Sequence, residues 1–455
     1  MHNKNEMGRI RALEIWQAGV NAVQPARCMP HFLSTLASQV GHWPPKKRYV
    51  VIGGGKAGAA MAQATETFLL QQGIPASNIK GWVNVPEGSQ HRSLQCIHLH
   101  AARPVGYNFP TPQAVAGTIK MLELVDQSPA DAVILCLISG GGSAILCAPV
   151  AEVSLEDKVK VSQQLSAAGA SIGELNAVRK HLSQFKGGGL TRRCFSSQGN
   201  RQLISLIISD VIGDPLDVIA SGPTATDPTT FAEALEVLHR KDLLSHAPVS
   251  VLKYLEQGAA GKHPETLKTQ PVESPRLIHQ IVANNALAVQ AAAALAERMG
   301  YQVETIDKCW DGDAVETGQW MAEHWPVADS TLARCIISGG ETTVKLPAQP
   351  GKGGRNQSMA LAFLSALEKR GFSQPGLFEN ITLLCAGTDG EDGPTDAAGA
   401  FADMRILELA HQQGLRIDEF LQRQNAYPFF QATGGLLKTG LTETNVMDLQ
   451  VFIQG

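Results

Sequence analysis

Lys56 lies inside a run of glycines, Gly53-Gly54-Gly55-Lys56-Ala57-Gly58, directly after the apolar stretch Tyr49 to Ile52. Gly53, Gly55 and Gly58 have the G-x-G-x-x-G spacing of a dinucleotide-binding turn. Such a turn brings backbone amides and the positive end of a helix to a phosphate. The lysine adds a different chemistry, because an ammonium among glycines offsets charge on phosphate oxygens and donates hydrogen bonds to them. A nicotinamide gives it no evident use. A dehydrogenase also expects a carboxylate about 20 residues on, for the ribose hydroxyls. The acid that follows the next apolar run, GWVNV, is Glu87, which comes late. The strict G-x-x-x-x-G-K-[ST] pattern is absent too, since Ala57 follows the lysine.

Four further apolar runs end in glycine, hydroxyl or acidic residues. They are SGGGSA at 139–144, SDVIGDP at 209–215, SGGETT at 338–343 and GTDGEDGPTD at 387–396. Gly53, Gly55, Ser139, Gly140, Gly141 and Ser143 are the resulting candidates for substrate or nucleotide contact, with Glu341 from SGGETT. Any one of these turns is equally well explained by a backbone that needs positive φ. Several together suggest a large anionic ligand.

Magnesium takes hard oxygen ligands, usually one or two carboxylates plus substrate phosphates. Asp210 and Asp389 are the candidates, with Asp214 beside the first and Glu391, Asp392 and Asp396 beside the second. A carboxylate next to an alcohol also accepts its proton in phosphoryl transfer. Acids in such loops otherwise cap helices or satisfy turn amides. Cations complete the set: Arg179, Lys180 and Lys186 in LNAVRKHLSQFKGGGL, and Arg355, followed by Asn356, in GKGGRNQ. Arginine grips a carboxylate or phosphate through two parallel hydrogen bonds. Lys352 reads as surface charge. A serine nucleophile is not supported, since neither Ser139 nor Ser143 meets G-x-S-x-G and no histidine is placed as its base. His181 reads as structural or peripheral.

Strands and helices must hold these groups. Helical spacing covers 7–40, with a break near Pro25 and Pro30. A strand–glycine–helix unit follows at 49–70, then a short strand at 81–85 and a helix at 112–126 opening on a proline. The runs AVILCLIS and LISLIIS read as buried parallel strands, with a helix at 155–168 between them. This alternation predicts an open α/β sheet with helices on both faces, whose ligands gather beyond the carboxyl ends of the strands. Loop signals fill 225–275, where a domain boundary is expected. Beyond it come strands at 277–285, 301–306, 334–338 and 381–386, and helices to Met299 and from Arg355.

The 455 residues call for two domains. The net charge of −4 and 5% aromatic content leave no basic or base-stacking surface, so nucleic acid is excluded as a partner. Eight scattered cysteines without a CxxC pair fit reduced thiols in a cytoplasmic protein. No apolar stretch reaches membrane-spanning length, and the N-terminus lacks the core of a signal peptide.

Taken in order, GGGKAG, LISGGGSA, LNAVRKHLSQFKGGGL, SDVIGDPLDVIASGPT, SGGETT, GKGGRNQ and GTDGEDGPTDAAGA resemble the MOFRL-type glycerate 2-kinases, some members of which are labelled hydroxypyruvate reductase. The resemblance spans residues from about 10 to 455. It implies a Rossmann-like N-terminal domain at 1–260 and a smaller α/β C-terminal domain at 261–455, with the active site in the cleft between them. It implies ATP- and Mg2+-dependent phosphorylation of D-glycerate to 2-phosphoglycerate, with Lys56, Asp210 and Arg355 catalytic. The partners expected are glycerate and ATP, with a homodimer allowed and no membrane. Two segments depart from the family. Arg103 stands where a histidine is usual, and Leu441 and Glu443 stand where proline and glycine are usual. A glutamate in that last loop would repel a phosphate or hold the backbone away from it. The alternatives are an NAD(P)-dependent hydroxypyruvate reductase and a non-catalytic metabolite-binding relative.

Overall fold

The computed structural model describes residues 2–104, 107, 109–196, 199–273, 275–326, 333–371 and 380–455. The chain forms two compact units, one of Pro25–Val282 and the other of Met1–Gln24 together with Ala283–Gly455. Among the described residues no helix is long and apolar enough to cross a membrane.

The first unit is built on strands β1 (Tyr49–Gly54), β2 (Ile79–Pro86), β3 (Ile97–Arg103), β4 (Val133–Ile138), β5 (Gln202–Ile208) and β6 (Leu277–Ala283). Their order across the sheet is β3-β2-β1-β4-β5-β6. The pairs β1–β2, β1–β4, β2–β3 and β4–β5 are parallel. Every residue of β1, β4 and β5 is buried, which is why these strands read as continuous apolar runs rather than alternating ones. Ile52, Cys136, Ile138, Leu203 and Ile207 share a core with Met121, Leu122 and Val125 of the helix Pro112–Asp126. Thr111 caps that helix, accepting from the Ala114 amide at 3.1 Å. The strand order reverses at β1, because β2 follows on one side and β4 on the other. Connections therefore leave the carboxyl ends of β1 and β4 in opposite directions and open a crevice there. This is the six-strand order of doubly wound dinucleotide folds.

The stretch expected to be a boundary is helical in part. Helices Phe231–Arg240 and Val249–Ala259 pack Phe231, Val237, Val251 and Leu255 against Val161, Leu165 and Val178. The strand after them, β6, still belongs to the first sheet, so the passage to the other unit falls at Val282–Ala283.

The second unit carries β7 (Gln302–Thr305), β8 (Arg334–Gly340), β9 (Ile381–Gly387), β10 (Gly399–Asp403), β11 (Leu436–Leu437) and β12 (Asp448–Gln454), in the order β11-β10-β9-β12-β8-β7. The sheet is mixed: β12 runs antiparallel to both β8 and β9, while β7 and β8 are parallel. The helix His2–Ala22 packs on the helix Asn285–Arg298 and on β9 and β12. Arg9 grips the buried Asp403 with nitrogen–oxygen distances of 2.5 and 3.0 Å, and Trp16 donates to the Ala386 carbonyl at 3.4 Å. The seam is also tight at Gly19, where a Cβ would lie 2.8 Å from both the Ala288 oxygen and Leu449 Cδ1. Gly19→Val should therefore overpack this seam and cost about 1–3 kcal/mol. Urea unfolding of the full chain checks it: an unshifted midpoint would contradict this packing.

Candidate active site

The glycine loop after β1 is shaped first by its own chain. Gly53 and Gly55 have φ of 137° and 139°. A Cβ on Gly53 would lie 1.9 Å from the Leu137 oxygen, and one on Gly55 would lie 2.2 Å from Ser139 Oγ. These glycines let the β1 loop lie flat against β4 and its SGGG turn. Three hydrogen bonds close that contact: Lys56 N to the Gly140 oxygen at 2.8 Å, Ala57 N to Ser139 Oγ at 3.1 Å, and Ser139 N to the Gly54 oxygen at 3.3 Å. In a dinucleotide turn the second glycine leaves room for a pyrophosphate; here that room holds Ser139. Glu87, at the end of β2, is exposed. Within the G-x-G-x-x-G spacing, Gly53 and Gly55 serve the meeting of two loops, while Gly58 faces β2, where a Cβ would lie 3.3 Å from Val83 Cγ1.

Lys56 and the turn after β4 share one place. Gly141 has φ of 75°, and a Cβ there would be 3.7 Å from Lys56 Cγ and 3.6 Å from Arg103 Nη2. Arg103, buried at the end of β3, thus brings a second cation to the turn. Lys56 itself is half-buried. Asn84 of β2 fixes the following short helix, donating to the Ile145 oxygen at 3.0 Å.

Beneath the turn lies a buried polar network. Ser143 Oγ and Ser221 Oγ are 3.1 Å apart. Lys186 Nζ donates to the Ser143 oxygen at 2.6 Å and to Ser221 Oγ at 3.3 Å. Ser221 Oγ donates to Asn176 Oδ1 at 3.0 Å. Ala220, Ser221 and Gly222 have consecutive φ values of 51°, 61° and 60°. Left-handed backbone costs a non-glycine residue on the order of 1–3 kcal/mol, and the surrounding bonds hold it. Burial, with Lys158, Arg179 and Lys180 nearby, pushes the Lys186 ammonium down to about 7, and Cys147 opposes the shift. Lys180 is spent elsewhere, on Asp217 at 3.2 Å and Asp227 at 3.1 Å. His181 is buried between the Ala177 oxygen and Glu265, at 2.7 and 3.0 Å. Asp210 and Asp214 follow β5, both half-buried, Asp214 with φ of 53°.

In the other unit, Arg355 opens the helix Arg355–Gly371 and holds Asp448 through two bonds, Nε to Oδ2 at 2.6 Å and Nη2 to Oδ1 at 2.9 Å. Nη1 reaches Glu341 Oε1 at 2.8 Å. The Asp448 side chain has no exposed surface, while that of Arg355 is 31% exposed. Burial pushes the Glu341 carboxyl up, Arg355 opposes this, and Asp448 and Asp389 add to it. Asn356 is buried: its amide and that of Gln357 donate to Asp392 at 3.0 and 2.8 Å. Burial raises the Asp392 carboxyl to about 6, against those two amides. Asp389 is half-buried and accepts from the Glu391 amide at 3.1 Å. Among the described residues, no group of three or more His, Cys, Asp or Glu side chains gathers as for a metal ion.

A family model described as a domain of unknown function (DUF4147) matches residues 11–256, and a MOFRL family model matches 334–448. The chain is 33% identical to a glycerate 2-kinase of Pyrococcus horikoshii, over 98% of this chain and 94% of that one. It is 33% identical to a D-glycerate 2-kinase of Thermotoga maritima, over 96% of each. A crystal structure of a Thermotoga maritima glycerate kinase superposes with a TM-score of 0.83 at 33% identity, covering 99% of this chain and all of that one. The chain belongs to the glycerate kinase family.

Within the first unit, the expected residues Gly53, Gly55, Lys56, Ser139, Gly140, Gly141, Ser143 and Lys186 come together around one pair of turns. Ser139 is buried and committed to Ala57. In the second unit Glu341 and Arg355 meet, and Asn356 is committed to Asp392. Sequence reading passes over Asp448, Ser221, Asn176 and the position of Arg103, and no spacing signal marks them. The second departing segment is local. Glu443 is exposed with φ of 64°, a conformation that suits the family's usual glycine. Residues 105, 106 and 108 of the first lie outside the described residues.

Two outcomes follow. Arg355→Met leaves Asp448 as an uncompensated buried charge and should cost about 3 kcal/mol. Adding Asp448→Asn should recover most of that loss, and denaturant titration of the single and double variants reads the difference. Lys186 has its folded pKa lowered to about 7, so the unfolded chain binds more protons between pH 7 and the usual lysine range. Its stability penalty is full below pH 7 and fades as the pH rises above it. The stability of Lys186→Met relative to the wild type should thus be greatest below pH 7 and decline toward pH 10. A pH-independent difference would place the lysine outside this environment.

Proposed function

We propose that the protein transfers the γ-phosphoryl group of ATP to the 2-hydroxyl of D-glycerate, giving 2-phosphoglycerate. The observation that carries this reading is the full-length likeness to glycerate 2-kinases together with Lys56 at the switch point of a doubly wound sheet. Lys56 steadies the transferring phosphoryl group, with Gly53, Gly55 and the turn Ser139–Ser143 shaping the surface it meets. Arg355, held by Asp448 and Glu341, presents a fixed guanidinium to a carboxylate or phosphate. The rate gain comes from positioning and fixed charge rather than from covalent chemistry.

Magnesium fits this donor set as a nucleotide-borne ion. Asp210 supplies a hard oxygen at the carboxyl end of β5 and Asp389 a weaker candidate, with phosphate oxygens and water completing the shell. The bound ion would neutralise charge on the phosphoryl oxygens. Asp214 supports the same loop. The hydride-transfer alternative is disfavoured by Ser139, which occupies the space a dinucleotide needs at Gly55.

The purified chain with D-glycerate, ATP and Mg2+ should form 2-phosphoglycerate, and hydroxypyruvate with NADH or NADPH should leave the cofactor reduced. Lys56→Ala should lower kcat by about 100-fold or more, as loss of one charge-stabilising donor does, with the melting temperature retained. Undiminished turnover would remove Lys56 from this role. Cofactor oxidation without phosphorylation would overturn the kinase.

A further inference from the structure

We propose that Ser143, Ser221 and Lys186 form a relay that takes the proton of the attacking hydroxyl. The inference rests on the kinase reading above and names its base. The path is continuous: Ser143 Oγ to Ser221 Oγ is 3.1 Å, and Ser221 Oγ to Lys186 Nζ is 3.3 Å. Its outer end, Ser143, is half-buried in the turn that also places Gly141 against Lys56; its inner end is fully enclosed.

Hydrogen-bond bookkeeping orients the chain. Ser221 gives its own proton to Asn176 Oδ1 at 3.0 Å, so its lone pairs receive Lys186 Nζ and the Ser143 hydroxyl. Ser143 then turns an acceptor outward, which suits a substrate hydroxyl and not a phosphate oxygen. The left-handed backbone at Ala220, Ser221 and Gly222 sets Ser221 Oγ among its three partners. The sequence offers no histidine for this task, and the structure supplies a lysine in its place.

The groups facing Lys186 are Cys147, Lys158, Arg179 and Lys180. Lys158 is itself enclosed, donating to the Leu182 oxygen at 2.6 Å, and burial pushes its ammonium down to about 8. No carboxylate is among these groups, so near neutral pH an appreciable fraction of Lys186 is the neutral amine that a base must be.

The substrate oxygen forms its bond to Pγ as the bond from Pγ to the β-bridging oxygen breaks, and ADP leaves with that electron pair. The substrate proton passes to Ser143 Oγ and the Ser143 proton to Ser221 Oγ; the neutral amine of Lys186 keeps one N–H on the Ser143 oxygen and turns its lone pair to Ser221, whose proton leaves Asn176 for Nζ. Lys186 ends as the ammonium and later returns the proton to solvent. Asp210 is then left to the metal and the phosphates.

The test is the pH profile of kcat, with its solvent isotope effect, for the wild type and for Ser221→Ala, Lys186→Met, Ser143→Ala and Ser143→Thr. Ser221→Ala removes only a hydroxyl, at a position whose neighbour Ala220 already shows alanine in the same left-handed conformation. The wild type should lose activity on the acid side of neutrality, with a curved proton inventory. Ser221→Ala, Lys186→Met and Ser143→Ala should lower kcat by about 100-fold or more and lose that acid limb. ATP affinity should change less than about threefold, and Ser143→Thr should keep the limb. Retention of the limb and of the isotope effect in Ser221→Ala or Lys186→Met would overturn the relay. So would an acid limb that vanishes in Asp210→Asn and survives in Lys186→Met. A wild type that phosphorylates no glycerate would overturn the kinase reading and the relay together, whereas failure of the relay alone leaves phosphoglycerate formation intact.

Discussion

The contact between the loop after β1 and the turn after β4 is the constraint on which the first unit depends. Two backbones approach so closely that no side chain fits between them, and Ser139 Oγ fills the gap left at Gly55. Hydrogen bonds from Lys56 N and Ala57 N then fix the height of the loop. The clamp fixes the backbone from which the lysine side chain leaves, so that part of the ordering cost has been met before any ligand arrives. The same turn leads into Ser143, so the loop that carries Lys56 and the network below it share a single support.

The second unit solves a related problem with charge. Asp448 begins the central strand β12 with no exposed surface, and Arg355 occupies both of its oxygens. A planar guanidinium committed in this way is rigid, and its outer nitrogen is held in the same plane toward Glu341. Asp392 plays a complementary part by receiving the first amides of the helix that carries Arg355. Two buried acids thus set the direction of one guanidinium.

Much of the fold is legible in the sequence because parallel strands enclosed on both faces leave long apolar signatures. β1, β4, β5 and the helix Pro112–Asp126 stand close to their expected limits. β12 is harder to read, since Gln450 and Gln454 interrupt it; Gln450 is buried and accepts from Ser338 Oγ at 2.9 Å across the sheet. At the candidate site the glycine spacing is readable, but its use is not, since Ser139 meets Gly55 only in three dimensions. Ser143 and Ser221 lie 78 positions apart, and Ser221 and Asn176 lie 45 apart, so no local pattern joins them. Arg355 is visible as a cation at a helix start, while its partner Asp448 follows 93 residues later.

The discontinuous second unit bears on how the polypeptide matures on the ribosome. The segment Pro25–Val282 is one uninterrupted stretch, whereas the helix His2–Ala22 packs against elements made long after it. β12, which pairs with β9 on one side and β8 on the other, is synthesised after every other strand described. Domains fold as units while the chain emerges, so the earliest helix waits, with Trp16 and its apolar face uncovered, until the final strand is released. During that interval Ala12, Ile15, Trp16 and Val20, which the folded unit buries, stay open to solvent.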